Sequence, residues 1–181
     1  MRIISGKYKG RRITAPKNLP ARPTTDISKE ALFNILNNKF YFNSLSVLDL
    51  FAGIGSISFE FASRGADDII CVDQHYNSLK FIQKTAQELN FDIKTIKSDV
   101  FKYLEKTTLK HDVIFADPPY NFEKDQFANI ITLVFDNDLV TEDGILIIEH
   151  SKHTDLSDIK HFDYSKKYGG SMFSFFENKH S

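Results

Sequence analysis

Two periods of hydrophobic spacing alternate along the chain. Short, largely apolar runs at Val47 to Phe51, Ile69 to Val72, Ile93 to Ile96, Val113 to Ala116 and Gly144 to Glu149 have the length of strands buried on both faces. Between them the spacing becomes helical. Leu79, Ile82, Ala86 and Leu89 predict a helix that stops near Asn90, and Phe127, Ile130, Ile131, Val134 and Phe135 predict another. The turn Gly53-Ile54-Gly55 leads into a helix ending about Arg64, and a short helix follows Asp99. Upstream, Thr25 or Asp26 can cap a helix whose positions Ile27, Ala31, Leu32, Ile35 and Leu36 share one face and which ends near Asn37 or Asn38. Residues 1–17 alternate loosely, with Ile3, Tyr8 and Ile13 among basic positions and turns available at Gly6 and Gly10, which predicts a small hairpin. Leu19 to Thr25 is a connector stiffened by Pro20 and Pro23. His161 to Tyr168, Gly169-Gly170 and Met172 to Phe176 predict two closing strands joined by a glycine turn.

Strands and helices in this order predict an α/β fold with a doubly wound, mostly parallel seven-stranded sheet and one antiparallel strand from the closing hairpin. A chain of 181 residues is expected to form one domain with a short appendage, residues 1–25, followed by a main domain over 26–181. No apolar run approaches the roughly eighteen residues of a membrane span, so no membrane role is expected and a cytoplasmic monomer is the default. Cys71 is the single cysteine and lies in an apolar run, where a small buried hydrophobe is the expected role. His75, His111, His150, His153, His161 and His180 have no metal-ligand spacing, and no metal site is expected.

Charge changes this picture more than composition does. Arg2, Lys7, Lys9, Arg11, Arg12, Lys17 and Arg22 give residues 1–25 a formal +7 with no acid, which leaves −8 on the remainder against −1 for the whole chain. A basic appendage on an acidic body points to a polyanion held at one end, and planar guanidinium groups suit phosphate. The other reading of the same pattern is a solvated terminus.

Candidate chemistry collects at strand ends. Asp49-Leu-Phe51-Ala-Gly53-Ile-Gly55 sits where a strand passes into a helix, so its backbone can approach a nucleotide closely. The third glycine of a dinucleotide fingerprint is replaced by Ser58. Asp73, ending the second strand, is placed to bind ribose hydroxyls. Asp99, after the third strand, could accept from an adenine amino group or simply cap a helix. Asp117-Pro118-Pro119-Tyr120 ends the fourth strand with a carboxylate, two residues that cannot continue a ladder, and a ring.

The Asp49 to Gly55 turn paired with Asp117-Pro118-Pro119-Tyr120 resembles the S-adenosylmethionine-dependent methyltransferases that modify exocyclic amines. The resemblance implies a Rossmann-like methyltransferase fold and S-adenosylmethionine as cofactor. Asp117 and the Pro118 carbonyl would accept from the target NH₂ and direct its lone pair at the methyl group, while Tyr120 would stack on the extruded base. A narrower resemblance covers nearly the whole chain. Arg2-Ile-Ile-Ser-Gly6-Lys-Tyr-Lys-Gly10-Arg11-Arg12, Arg22-Pro-Thr24-Thr-Asp26, Ala31-Leu-Phe-Asn34 and Tyr168-Gly169 look like the bacterial 16S ribosomal RNA guanine-N2 methyltransferases, which modify guanine 966. One departure is Ser5, where a second glycine is common. By this resemblance Arg22 and Thr24 would lie at the mouth of the cofactor and target site, and Lys7, Lys9, Arg11, Arg12 and Arg22 would hold the phosphates of small-subunit ribosomal RNA, naked or partly assembled. Asp49, Phe51, Gly53, Gly55, Thr24, Asp73 and Asp99 would hold the cofactor. Other readings remain: an amino-methyltransferase acting on adenine, cytosine or a protein glutamine, a nicotinamide-dependent oxidoreductase, and a non-catalytic RNA-binding module.

Overall fold

A computed structural model of the chain describes residues 1–20 and 24–178. Strands β1 (Ser46–Leu50), β2 (Asp68–Asp73), β3 (Ile93–Lys97), β4 (His111–Ala116) and β5 (Val140–Ser151) run parallel, and β6 (Phe162–Tyr168) and β7 (Ser171–Glu177) form the closing hairpin. The sheet order is β3-β2-β1-β4-β5-β7-β6, with β7 antiparallel to both of its neighbours. The order reverses between β1 and β4, which puts their carboxyl ends side by side at the place where an open α/β sheet forms a crevice. Five helices cover the sheet: α1 (Asp26–Lys39), α2 (Ser56–Ser63), α3 (Tyr76–Glu88), α4 (Val100–Lys106) and α5 (Lys124–Asp136). None of the described helices is long and apolar enough to cross a membrane.

Alternation along the strands divides the core in two. Val47, Ile69, Cys71, Val113, Phe115 and Ile147 point to one face, where α1, α2, α3 and residues of the N-terminal segment pack. Leu48, Leu50, Val72, Ile114, Ala116 and Ile148 point to the other and meet α4 and α5. Parallel strands buried on both sides need this continuous apolar character. Cys71 is fully buried, as expected for a small hydrophobe, with its sulfur 3.0 Å from Ser58 Oγ.

Three local expectations change. The N-terminal hairpin is reduced to one antiparallel bridge, Arg2 to Arg12, with Ile3 N–H donating to the Arg11 carbonyl. The loop is shaped by docking: Lys7 N–H donates to the Ser63 carbonyl, and a Cβ on Gly6 would lie 1.9 Å from that same oxygen. On α1 the buried face is Ser28, Lys29, Leu32, Phe33 and Leu36, while Ile27 is 78% exposed. Lys29 turns inward because Glu60 of α2 waits there, fully buried and accepting from the Ile4 and Ser5 amides and from Arg64 Nε. Strand β5 also begins earlier than its apolar run, since Val140 pairs with His111 before a bulge resets the register to Val113 opposite Ile145.

Candidate active site

The turn between β1 and α2 forms one wall of a cleft of about 500 Å³. Phe51, Gly53 and Gly55 all adopt positive φ (56°, 56° and 80°), a conformation costly for phenylalanine that here serves to reverse the chain tightly at the strand end. Gly55 is required twice over: a Cβ there would also lie 2.9 Å from Ile82 Cγ1 of α3. No side chain caps the start of α2, whose first residues, Ser56 and Ile57, line the cleft.

Acidic groups line this cleft from four strand ends. Asp49 is almost wholly buried and accepts from Ser58 Oγ at 2.6 Å. Burial pushes its carboxyl up to about 7, opposed by the Ser58 hydrogen bond. Asp73, also buried, accepts from Gly53 N–H at 2.9 Å through one oxygen and from His75 N–H at 2.8 Å through the other. It thereby pins the glycine turn to β2 while itself lining the cavity, with acceptor capacity to spare. Asp99 is exposed and caps α4 through the Lys102 amide at 3.1 Å, so the capping role is realised at a residue that also lines the cleft. Asp117 closes the set, its amide donating to the Leu50 carbonyl at 3.4 Å and tying the tip of β4 to β1. Beyond it Pro118 is buried, and Phe122 N–H closes a turn on the Pro119 carbonyl. Tyr120 presents a ring that is 78% exposed.

A smaller recess of about 60 Å³ adjoins the cleft on the far side of this loop, sharing Thr24, Asp117, Pro118 and Tyr120 with it. Thr24 Oγ1 donates to Glu149 Oε2 at 3.0 Å, which fastens the start of α1 to the tip of β5. Glu149 went unrecognised in the sequence because it ends an apolar run and looks like a strand terminus. Phe101 and Phe122 stack at 6.0 Å and Phe122 meets Phe51 edge-on at 5.5 Å, completing an aromatic wall of the cleft.

The structure thus gathers Thr24, Asp49, Phe51, Gly53, Asp73, Asp99, Asp117, Pro118 and Tyr120 around one cavity. Gly55 lies directly behind its wall. Lys7, Lys9, Arg11 and Arg12 are exposed and none of them lines the cavity. Arg22 and His180 lie outside the described residues. Among the described residues no group of three or more His, Cys, Asp or Glu is arranged to hold a metal ion.

The cavity fits S-adenosylmethionine by its chemistry. Four carboxylates and no lysine or arginine line it among the described residues, an environment suited to a sulfonium and an ammonium and hostile to a pyrophosphate. This sheet order, with a glycine turn after β1 and an Asp-Pro-Pro-Tyr loop after β4, defines a Rossmann-like methyltransferase fold. Residues 1–177 match the family described as Conserved hypothetical protein 95, and the chain belongs to that family. A Bacillus subtilis relative, named as a candidate rRNA methyltransferase, is 33% identical over 161 residues, covering 86% of this chain and 85% of its own. Ribosomal RNA small subunit methyltransferase D of Buchnera aphidicola from Acyrthosiphon pisum is 32% identical, covering 91% of this chain and 85% of its own. An Escherichia coli structure described as a candidate methyltransferase superposes with a TM-score of 0.85 at 23% identity, over 99% of both chains, and carries the fold alone.

Proposed function

We propose that the chain transfers a methyl group from S-adenosylmethionine to the exocyclic N2 of a guanine in 16S ribosomal RNA, at position 966 by resemblance, acting as a cytoplasmic monomer. The observation that carries this reading is the juxtaposition of the acidic cavity with the Asp117 to Tyr120 loop at the β1/β4 crevice. Asp73 would accept from the ribose hydroxyls, and Asp49 would face the cationic end of the cofactor. S-adenosylmethionine supplies the electrophilic methyl group when bound. Asp117 and the Pro118 carbonyl accept from the target NH₂ and aim its lone pair at the methyl carbon. As the new N–C bond formed, the methyl group's bond to sulfur would break with its electron pair left on sulfur, and Asp117 or water would take the amine proton. Prolines hold these acceptors still, so little reorganisation is needed as charge develops. A nicotinamide dinucleotide is disfavoured by the acidic lining, and an RNA-binding module without catalysis leaves the cavity unexplained.

The test separates chemistry from binding. Asp117→Ala lowers tritium transfer from labelled S-adenosylmethionine to small-subunit RNA by at least about 10²-fold, while calorimetric cofactor affinity stays within about threefold because Asp49, Asp73 and Asp99 still line the cavity. Full activity in this variant would remove Asp117 from the reaction.

A further inference from the structure

A second cavity, of about 540 Å³, runs between the basic N-terminal segment and α3. Its charge is opposite to that of the active-site cleft: Arg11, Arg12, Lys80 and Lys84 line it against one carboxylate, Glu88. We infer that this groove is the track for the phosphodiester backbone of one RNA strand, leading the target nucleotide to the acidic cleft. The inference rests on the proposed RNA substrate and adds α3, whose Leu79, Ile82, Ala86 and Leu89 spacing marks only its buried face.

Four features support it. All four cations are exposed, so their heads can reach a ligand without leaving a buried partner. Lys84 meets Glu88 at 4.0 Å with side chains 77% and 58% exposed, a pair worth little in water and readily exchanged for a phosphate. Lys80 and Lys84 stand one helical turn apart on the same face, about 5–6 Å between Cβ atoms, comparable with the step between neighbouring phosphates of a strand. The walls are fixed relative to each other: Tyr8 OH donates to the Leu89 carbonyl at 2.9 Å and its ring meets Phe91 edge-on, so the basic segment cannot swing away from α3.

Continuity with the active site gives the groove its direction. Leu19 lines the groove and its neighbour Pro20 lines the cleft; Asn77 opens the groove while Gln74 and His75, just before it on α3's entry, line the cleft. A backbone lying along Arg11, Lys84 and Lys80 therefore arrives at the cleft mouth. There the four carboxylates repel phosphate, and the base enters while its phosphates remain outside.

The experiment measures the affinity of the full chain for a small-subunit ribosomal RNA transcript across a series of KCl concentrations. For Lys80→Ala/Lys84→Ala the slope of log affinity against log salt falls in magnitude by about 1.4, two contacts at about 0.7 each, and low-salt binding weakens at least about tenfold. Cofactor affinity by calorimetry is unchanged. Lys166→Ala/Lys167→Ala, which removes equal charge from exposed positions of β6, changes the slope by less than half as much. Glu88→Gln, freeing Lys84, tightens binding a few-fold. An unchanged slope in the α3 variant, or an equal loss from the β6 pair, overturns the inference while leaving the methyltransferase reading intact. Wild-type protein that neither binds nor methylates the transcript or a partly assembled small subunit overturns both.

Discussion

Asp49 shows how one residue can couple folding, pH and ligand binding. Its carboxyl is raised from 3.8 to about 7 because burial disfavours the charge. In the unfolded chain the group ionises near its ordinary value, so between about pH 4 and 7 the unfolded state releases a proton the folded state keeps. Folding stability therefore declines as pH rises through that window and levels off above it, by at most ~4 kcal/mol at 1.36 kcal/mol per unit. Asp49→Asn removes this titration, so the change in urea-unfolding stability from pH 5 to pH 8 should be more favourable in the variant than in the wild type, the buried His111 and His150, whose pKa values burial lowers, contributing alike to both. Cationic cofactor reverses the balance, since it favours the carboxylate. Calorimetric affinity for S-adenosylmethionine should rise with pH up to about 7 and then plateau, with Asp49→Asn binding more weakly and without that rise. Affinity that falls over the same range would place the cofactor's positive charge elsewhere.

At the scale of elements, the contact between the N-terminal segment, α1 and α2 is the least visible in the sequence and the most consequential for where RNA would meet the protein. Lys29 and Glu60 are 1% and 0% exposed, and Lys29 Nζ also donates to the Arg2 carbonyl and to Ser56 Oγ. Desolvation lowers the Lys29 pKa and the neighbouring Glu60 partly restores it. Removing one member of a buried pair leaves the other uncompensated, so Glu60→Ala should cost about 3–5 kcal/mol. It should also loosen residues 1–20, seen as faster tryptic cleavage at Lys7, Lys9 or Arg11 than in wild type under conditions where the core stays folded. Cleavage no faster than in wild type would mean that the apolar contacts of Ile3 and Ile13 and the hydrogen bonds of Lys7 and Tyr8 hold the segment without that pair. The strands were legible because their apolar runs need no partner to be recognised. Lys29, Glu60 and the exposed Ile27 were not, because helical periodicity marks charged positions as outward and only the docked segment turns that face into an interior. Glu149 was hidden for the converse reason, a single acid ending a hydrophobic strand whose use appears only when Thr24 is brought beside it.

The whole molecule is arranged as an acidic reaction cleft beside a basic groove, joined at Leu19 and Pro20. The charge asymmetry between residues 1–25 and the rest of the chain anticipated that division, whereas the contribution of Lys80 and Lys84 could not be read from an amphipathic helix pattern alone. The motifs after β1 and β4 were visible because glycine and proline there answer to backbone geometry; the base they act on is a property of a pocket, which no short motif encodes. By family resemblance this pocket methylates the N2 of guanine in small-subunit RNA. The most direct measurement is nucleoside analysis of small-subunit RNA, naked and in partly assembled subunits, after incubation with the protein and labelled S-adenosylmethionine. Label in N2-methylguanosine at a single position is the predicted result; label in N6-methyladenosine or N4-methylcytidine, or none at all, would contradict it.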